Sequence, residues 1–215
     1  MINMTIADLR KDYTQSGLLE SEIDHNPFTQ FQIWFDQALE AKLLEPNAMT
    51  LATVGQDGNP SARIVLLKDF DSRGFVFFTN YLSQKGQELD INPHVALVFW
   101  WGELERQVRI QGKVEKATSE ESDQYFQQRP RGSQLGSYAS CQSDIVESRE
   151  ILEKRLQAQE QKYQNQIIPR PEHWGGYRVI PHIIEFWQGR PSRLHDRLRY
   201  TLQQENNWLI ERLCP

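Results

Sequence analysis

The chain has 215 residues, with 24 Lys and Arg against 29 Asp and Glu, and a formal charge of −5. A composition of 39% hydrophobic and 25% charged residues belongs to a folded globular protein, and 12 Gly with 10 Pro exclude a collagen-like or linker-dominated chain. Mild acidity argues against a general binder of nucleic acid or of an anionic membrane surface.

Taken in chain order, Thr5–Tyr13 has the pattern of a short helix. Asn26-Pro27 supplies an N-cap and a first helical position, and Phe28, Phe31, Trp34, Phe35, Ala38 and Leu39 then recur at helical spacing until Pro46. From residue 48 the period changes to two. Ala48–Gly55 reads as a strand, Asp57-Gly58 as a hairpin turn, Arg63–Lys68 as the next strand, and Phe75–Thr79 as a third after a turn at Asp71–Gly74. Ser83 caps a short helix to Ile91. His94–Trp101 is a near-continuous apolar strand, expected to be buried on both faces. Arg106–Lys116 follows as a strand with Val108, Ile110 and Val114 on one face and Gln107, Arg109 and Gln111 on the other.

The middle section is helical over Ser119–Gln128, because Pro130 disfavours helix at Arg129. RPRGSQLG reads as a loop and Ser143–Gln164 as a long charged helix. Pro169–Gly176 is loop, and strands are expected at Tyr177–Ile180, Ile183–Gln188, Arg193–Leu202 and Trp208–Leu213. Alternating βα units are absent, so the pattern predicts a mainly β (α+β) fold: a mostly antiparallel barrel with helices added. No linker divides the chain. Residues 1–215 therefore read as one domain, with 1–25 a partly flexible N-terminal segment.

The longest apolar run, Val95–Trp101, is far short of the ~20 residues of a membrane helix. The N-terminus carries charges where a secretion signal needs an apolar stretch. Cys141 and Cys214 form no CxxC pair, which fits two buried or idle thiols in a reducing cytoplasm. Rossmann, P-loop, HExxH and GxSxG signatures are absent, and the five histidines show no ligand spacing, so no metal site is expected.

The informative feature is cations placed on otherwise apolar segments. Arg63 and Lys68 flank Ile64-Val65-Leu66-Leu67, and a buried charge is costly unless it has a partner. Five residues apart, they fall on opposite faces of a regular strand. Either a bulge intervenes, or Lys68 lies past the strand end, or they serve two anions. Ser83-Gln84-Lys85 at a helix start offers backbone N–H groups and an ammonium to a phosphate. Tyr125 and Arg129, four apart and followed by Ser133, offer donors to a second. Arg193, His195 and Arg197 alternate, and would share one strand face. Each cluster alone has a plainer reading as a cap or a solvated face. Four together on an acidic chain point to phosphorylated small molecules, with Trp187, Tyr125 and Phe78 available beside a planar ring.

RIVLLK (63–68), FFTN (77–80), SQKGQEL (83–89), ERQVRIQG (105–112), YFQQRPRGSQLG (125–136), QS (142–143), WGGYRV (174–179), EFWQG (185–189) and RLHDR (193–197) together resemble the pyridoxamine 5′-phosphate oxidase family. The match extends from LRKDY (9–13) to ERLCP (211–215). The resemblance implies a homodimer of FMN-binding split β-barrels, with each FMN at the interface. It implies that Arg63, Gln84, Lys85, Gln142 and Ser143 hold FMN, chiefly its phosphate. Ile64, Val65, Leu66, Leu67, Lys68, Phe78, Thr79 and Gln107 would line the flavin, and Trp187 and Arg197 would complete that site. Lys68, Tyr125, Arg129 and Ser133 would hold the substrate phosphate. Arg193, Leu194 and His195 would cover the pyridine ring, and Arg10 and Tyr13 would close over it. The implied reaction converts pyridoxamine or pyridoxine 5′-phosphate to pyridoxal 5′-phosphate with O2, releasing H2O2. Two departures stand out, since the family often has Arg where this chain has Gln84 and Tyr where it has Phe78. A split-barrel flavoprotein with another substrate, and a non-catalytic FMN- or pyridoxal phosphate-binding protein, are the rival readings.

Overall fold

The computed structural model describes residues 5, 6, 9 and 12–215. The helix expected over Thr5–Tyr13 lies mostly outside those residues, and Asp12 and Tyr13 are not helical. Five helices and nine strands follow. They are α1 (Pro27–Glu40), β1 (Ala48–Val54), β2 (Pro60–Leu66), β3 (Asp69–Asp71), β4 (Gly74–Asn80), α2 (Gln84–Ile91), β5 (His94–Trp101), β6 (Arg106–Lys116), α3 (Ser119–Gln128), α4 (Arg131–Ala139), α5 (Arg149–Lys162), β7 (Trp174–Gln188), β8 (Asp196–Leu202) and β9 (Trp208–Arg212). The described pairings of β3 with β4, β4 with β7, β7 with β8 and β8 with β9 are antiparallel. The fold is the mainly β split-barrel class that the sequence pattern and the resemblance predict.

The chain divides into two compact units. One holds the described residues up to Ala48, with Leu97–Gln111 and Pro181–Pro215. Its core is the aromatic face of α1. Asn26 Oδ1 accepts from the Phe28 amide and Pro27 opens the first turn, so the helix starts where the sequence says it must. Phe31 and Trp34 are buried; Phe31 packs on Phe99 and Trp101, and Trp34 meets Phe186 edge-on.

The other unit holds Met49–Ala96 and Gly112–Ile180. Its strands follow the hydrogen-bonded order β2-β1-β5-β6-β7-β4-β3, with β2 at one end. A helical cluster of Phe126, Leu135, Tyr163, Ile168 and Trp174 forms a second core, against which Phe78 and Tyr125 pack.

Several boundaries differ from the sequence reading. RPRGSQLG is not a loop, because Arg131–Ala139 is α4, whose Leu135 and Ala139 are buried one turn apart. Gln134 Nε2 donates at 2.9 Å to the Phe126 carbonyl, which also accepts from the Arg129 amide at 3.2 Å, and so ties α4 to the end of α3. The long helix from Ser143 starts only at Arg149, because Ser143 is left-handed (φ 78°). β7 runs unbroken through Pro181. It pairs with β4 over 174–179 and with β8 over 183–188, and the proline falls between the two ladders. β5 is buried along one side only, with Trp100 54% exposed. Both cysteines are exposed, not buried. No helix among the described residues is long and apolar enough to cross a membrane.

Since α1 contributes its rings to a closed aromatic core, Phe31→Ala should cost roughly 3–5 kcal/mol in chemical denaturation. Ile33→Ala, at a 41% exposed position of the same helix, should cost within about 1 kcal/mol.

Candidate functional site

A cavity of about 830 Å³ lies wholly within the second unit. β2 forms one wall with Arg63, Ile64, Val65 and Leu66. Lys68 joins the same lining because β2 stops at Leu66 and the chain turns, the Lys68 amide donating to the Val76 carbonyl at 2.9 Å. Of the three readings open for the Arg63 and Lys68 pair, the structure selects the one in which the lysine lies past the strand end. β4 adds Phe78 and Thr79, α2 adds Lys85, and the α3–α4 corner adds Tyr125, Arg129, Ser133 and Ser137. Arg63 and Arg129 therefore face one shared space.

Two cationic ends are distinct. At the first, Lys85 is 8% exposed, and its Nζ donates to Gln142 Oε1 at 3.3 Å and to Ser83 Oγ at 3.4 Å. Burial, and then the nearby Arg63 charge, pull the Lys85 ammonium below its ordinary pKa. Arg63 donates to Thr53 Oγ1 and to Ser61 Oγ, and pairs with Glu88 Oε2 at 3.2 Å. Burial alone would raise the Glu88 carboxyl. Hydrogen bonds from Thr53, Ser61 and Gln84, with the Arg63 charge, instead hold it at about 2. Gln142 Oε1 also accepts from Thr79 Oγ1 at 3.3 Å. Ser143 Oγ accepts from the Gln84 amide at 3.1 Å, which satisfies a free N–H of the first turn of α2. That contact draws the 140–148 loop to α2 in place of the helix expected there.

At the second end, the Arg129 guanidinium lies 4.4 Å from the centre of the Trp174 ring, and its Nη1 donates to Ser137 Oγ at 2.6 Å. Burial lowers its pKa. Phe78 stacks on Tyr125 at 4.1 Å and on Trp174 at 5.4 Å, so three rings form a flat wall. Lys68 Nζ sits 5.9 Å from the Tyr125 ring centre. Among the described residues no carboxylate stands within ion-pair distance of Lys68, Lys85 or Arg129. Arg178, by contrast, is buried between Asp71 and Glu121.

Of the residues expected at the flavin, Leu67, Gln84, Gln107, Ser143, Trp187 and Arg197 do not line the cavity. Leu67 turns into the core, and Gln84 Nε2 donates to Glu88 Oε1 at 2.8 Å. Sequence reasoning missed Ser137 and Trp174. Ser137 was visible as the residue four after Ser133 only once α4 is known to be helical.

A second cluster lies in the first unit. Tyr13 packs edge-on against Trp187 (5.7 Å) and His195 (5.5 Å), and Trp187 lies 4.6 Å from His195. Burial, with the Arg193 charge, lowers the His195 pKa. The Arg190 amide donates to His195 Nδ1 at 3.1 Å, which leaves Nε2 as the N–H of the neutral ring. Arg197 Nε pairs with the buried Glu185 at 2.9 Å, and Arg109 pairs with it at 3.5 Å. Gln107 lies half-buried on β6. The expected strand over Arg193–Leu202 is corrected. Ser192 (φ 57°) and Arg193 (φ 61°) are left-handed, and β8 begins at Asp196, so Arg193 and His195 belong to a tight loop and share no strand face with Arg197. Arg193 and Leu194 are exposed in that loop. Arg10 lies outside the described residues.

A family model described as pyridoxamine 5′-phosphate oxidase matches residues 35–163, and one described as the pyridoxine 5′-phosphate oxidase C-terminal dimerisation region matches 174–215. The chain is 66% identical over 214 residues to a pyridoxine/pyridoxamine 5′-phosphate oxidase of Nostoc sp., covering both chains fully. It is 64% identical to that of Acaryochloris marina, over 98% of this chain and 96% of the relative. Among solved structures it resembles PhzG from Burkholderia lata 383 in complex with tetrahydrophenazine-1-carboxylic acid, with a TM-score of 0.87 at 32% identity over 94% of this chain and 99% of the other. An FMN-binding protein from Nostoc punctiforme related to pyridoxamine 5′-phosphate oxidase shares the fold, with a TM-score of 0.71 at 16% identity, over 86% of this chain and 97% of the other. Two cationic ends of one cavity, a family model over residues 35–163, a matched dimerisation region and full-length relatives agree: the chain belongs to the pyridoxine/pyridoxamine 5′-phosphate oxidase family, a family of enzymes.

Proposed function

We propose that this protein is an FMN-dependent oxidase that converts pyridoxamine or pyridoxine 5′-phosphate to pyridoxal 5′-phosphate. The observation that carries the reading is the cavity with Lys85 at one end and Lys68 and Arg129 at the other, each without a carboxylate partner. Lys85 is buried and Arg129 half-buried, with the exposed Lys68 beside Arg129; a cation held in that way favours an anion, and two such ends suit two phosphates. The FMN phosphate is assigned to Arg63, Lys85 and Gln142, and the edge of β2 to the flavin ring. These donors fit the group in charge and type. The substrate phosphate is assigned to Lys68, Arg129 and Ser133, with Tyr125 beside it.

FMN, which Arg63, Lys85 and Gln142 would hold, would supply the redox chemistry, a two-electron oxidation at C4′ of the substrate with O2 as final acceptor and H2O2 as product. The chain supplies position. Arg129, held flat on Trp174 and tied to Ser137, fixes one end of the substrate so that its ring is presented in a single register. Arg193 and His195 are assigned to the far face of the pyridine, contributed by a second copy of the chain as the resemblance implies. Their cationic and N–H donors orient the ring and favour the neutral amine, from which a hydride departs. Tyr13 excludes water beside them. A dimer with FMN at its interface accords with the dimerisation region, and vitamin B6 salvage in the cytoplasm is the setting we assign. The PhzG likeness raises a second reading, an oxidase of a ring carboxylate without phosphate; a single carboxylate would then meet the cations of the Arg129 end, where a phosphate offers more charge and more acceptor oxygens.

The deciding experiment is an absorbance spectrum of the purified protein before and after anaerobic addition of pyridoxamine 5′-phosphate. The flavin band should bleach and return with air; a yellow protein whose band never changes would end the proposal. Arg129→Ala should raise KM for the phosphorylated substrate on the order of 100-fold while leaving bound flavin unchanged. Arg193→Ala should lower turnover far more than flavin content, and normal turnover would remove its assigned role.

A further inference from the structure

The Tyr13 cluster is held by an arrangement that the reaction itself does not use. Segment 12–20 has no helix or strand, yet it is fastened at two clusters of contacts, with Arg190 Nη1 also donating to the Gln15 carbonyl at 3.3 Å. At the first, Glu105 Oε2 accepts from the Thr14 amide at 2.8 Å and from the Gln15 amide at 3.2 Å. Glu105 is 1% exposed, and its own carbonyl accepts from Gly189 N at 2.7 Å. At the second, Arg212 on β9 makes four kinds of contact. Its Nε and Nη2 donate to Glu20 Oε1 and Oε2 at 2.7 and 2.8 Å. Its Nη1 donates to Asp196 Oδ1 at 2.6 Å, and Nη2 also donates to the Leu18 carbonyl at 2.8 Å. Asp196 Oδ2 in turn accepts from the Leu18 amide at 3.1 Å and faces Arg190 Nε at 3.5 Å.

Asp196 directly follows His195, and Arg190 is the residue whose amide fixes His195 Nδ1. One guanidinium thus ties together the strap, the His195 loop and the last strand. The fit is close where the strap meets that loop. A Cβ on Gly189 would come within 2.7 and 2.8 Å of Tyr13 ring carbons, so only glycine admits the ring there.

We propose that Arg212 is a positioning residue: through Glu20, Asp196 and the Leu18 carbonyl it fastens segment 14–20, and with it Tyr13, against the loop that carries Arg193 and His195. It touches neither ring of the proposed reaction, and it acts by keeping Tyr13 in place to cover the substrate. This inference rests on the proposed function for its kinetic consequence, but not for its structural one.

The test uses full-length, flavin-loaded enzyme. Arg212→Ala should raise KM for pyridoxamine 5′-phosphate about tenfold, with kcat within twofold and flavin content unchanged, and Arg212→Lys should recover part of the loss. In a Tyr13→Ala background, Arg212→Ala should add less than twofold to KM, because the residue through which it acts is gone. Hydrogen exchange at the Thr14, Gln15 and Leu18 amides should quicken at least tenfold in Arg212→Ala. An unchanged KM, or effects of Tyr13→Ala and Arg212→Ala that multiply, would overturn the proposal. Should the wild-type enzyme leave both vitamin B6 phosphates unoxidised, the proposed function fails by itself; the exchange measurement then decides, with unchanged rates overturning the fastening and faster rates upholding it.

Discussion

The structure turns on cations left without carboxylates around one cavity. Elsewhere several buried or half-buried arginines meet carboxylates, Arg178 with Asp71 and Glu121, Arg197 with Glu185, and Arg212 with Glu20 and Asp196, while Arg106 is satisfied by Gln37, Gln188 and the Trp34 ring. An acidic chain has carboxylates to spare, so their absence beside Lys68, Lys85 and Arg129 is a property of the site. Desolvation pulls Lys85 and Arg129 down from their ordinary pKa values, which is the signature of charge held ready and not yet compensated. An anion arriving there replaces lost hydration with direct hydrogen bonds to pre-set donors, and little side-chain entropy remains to be lost.

Arg63 is handled differently. Glu88 and the hydroxyls of Thr53 and Ser61 fix its direction before any ligand arrives, and Gln84 turns toward Glu88 in the same network. Where relatives often place a second cation, this chain uses an amide to steady the carboxylate that steadies Arg63. The net positive charge at that end then rests mainly on Lys85, whose Nζ is placed by Gln142 and Ser83.

Much of this was legible in the sequence. Period-two alternation located β1, β2 and β4, and Asn26-Pro27 with the aromatic i, i+3 and i+4 spacing located α1. The cations of the cavity were legible as residue types, because charges on apolar segments demand an explanation. Their arrangement was not. Lys68 and Arg63 look opposed on a regular strand, and only the end of β2 at Leu66 brings them together. Gly132, Gly136 and Pro130 disguise α4, whose helicity depends on Leu135 and Ala139 finding a core and on Gln134 bonding back to α3. Left-handed Ser143, Ser192 and Arg193 carry no glycine signal, and at Ser143 a hydrogen bond from the distant Gln84 amide accompanies that conformation. Ser137 and Trp174 complete the Arg129 end through contacts that no local pattern encodes.

The two clusters also use charge in opposite ways, and the difference follows from what each must do before substrate arrives. The cavity leaves its cations without carboxylates, a state that an incoming anion would complete. The strap has no ligand of its own, so its ion pairs must be complete in the free protein. Arg212 and Glu20 are substantially exposed, and exposed pairs contribute only about 0.2–1 kcal/mol each. Several of them converging on one guanidinium, together with the Leu18 backbone contacts, hold the strap against solvent without locking it. A fastening of that strength holds the strap more loosely than a hydrophobic clasp of equal area would.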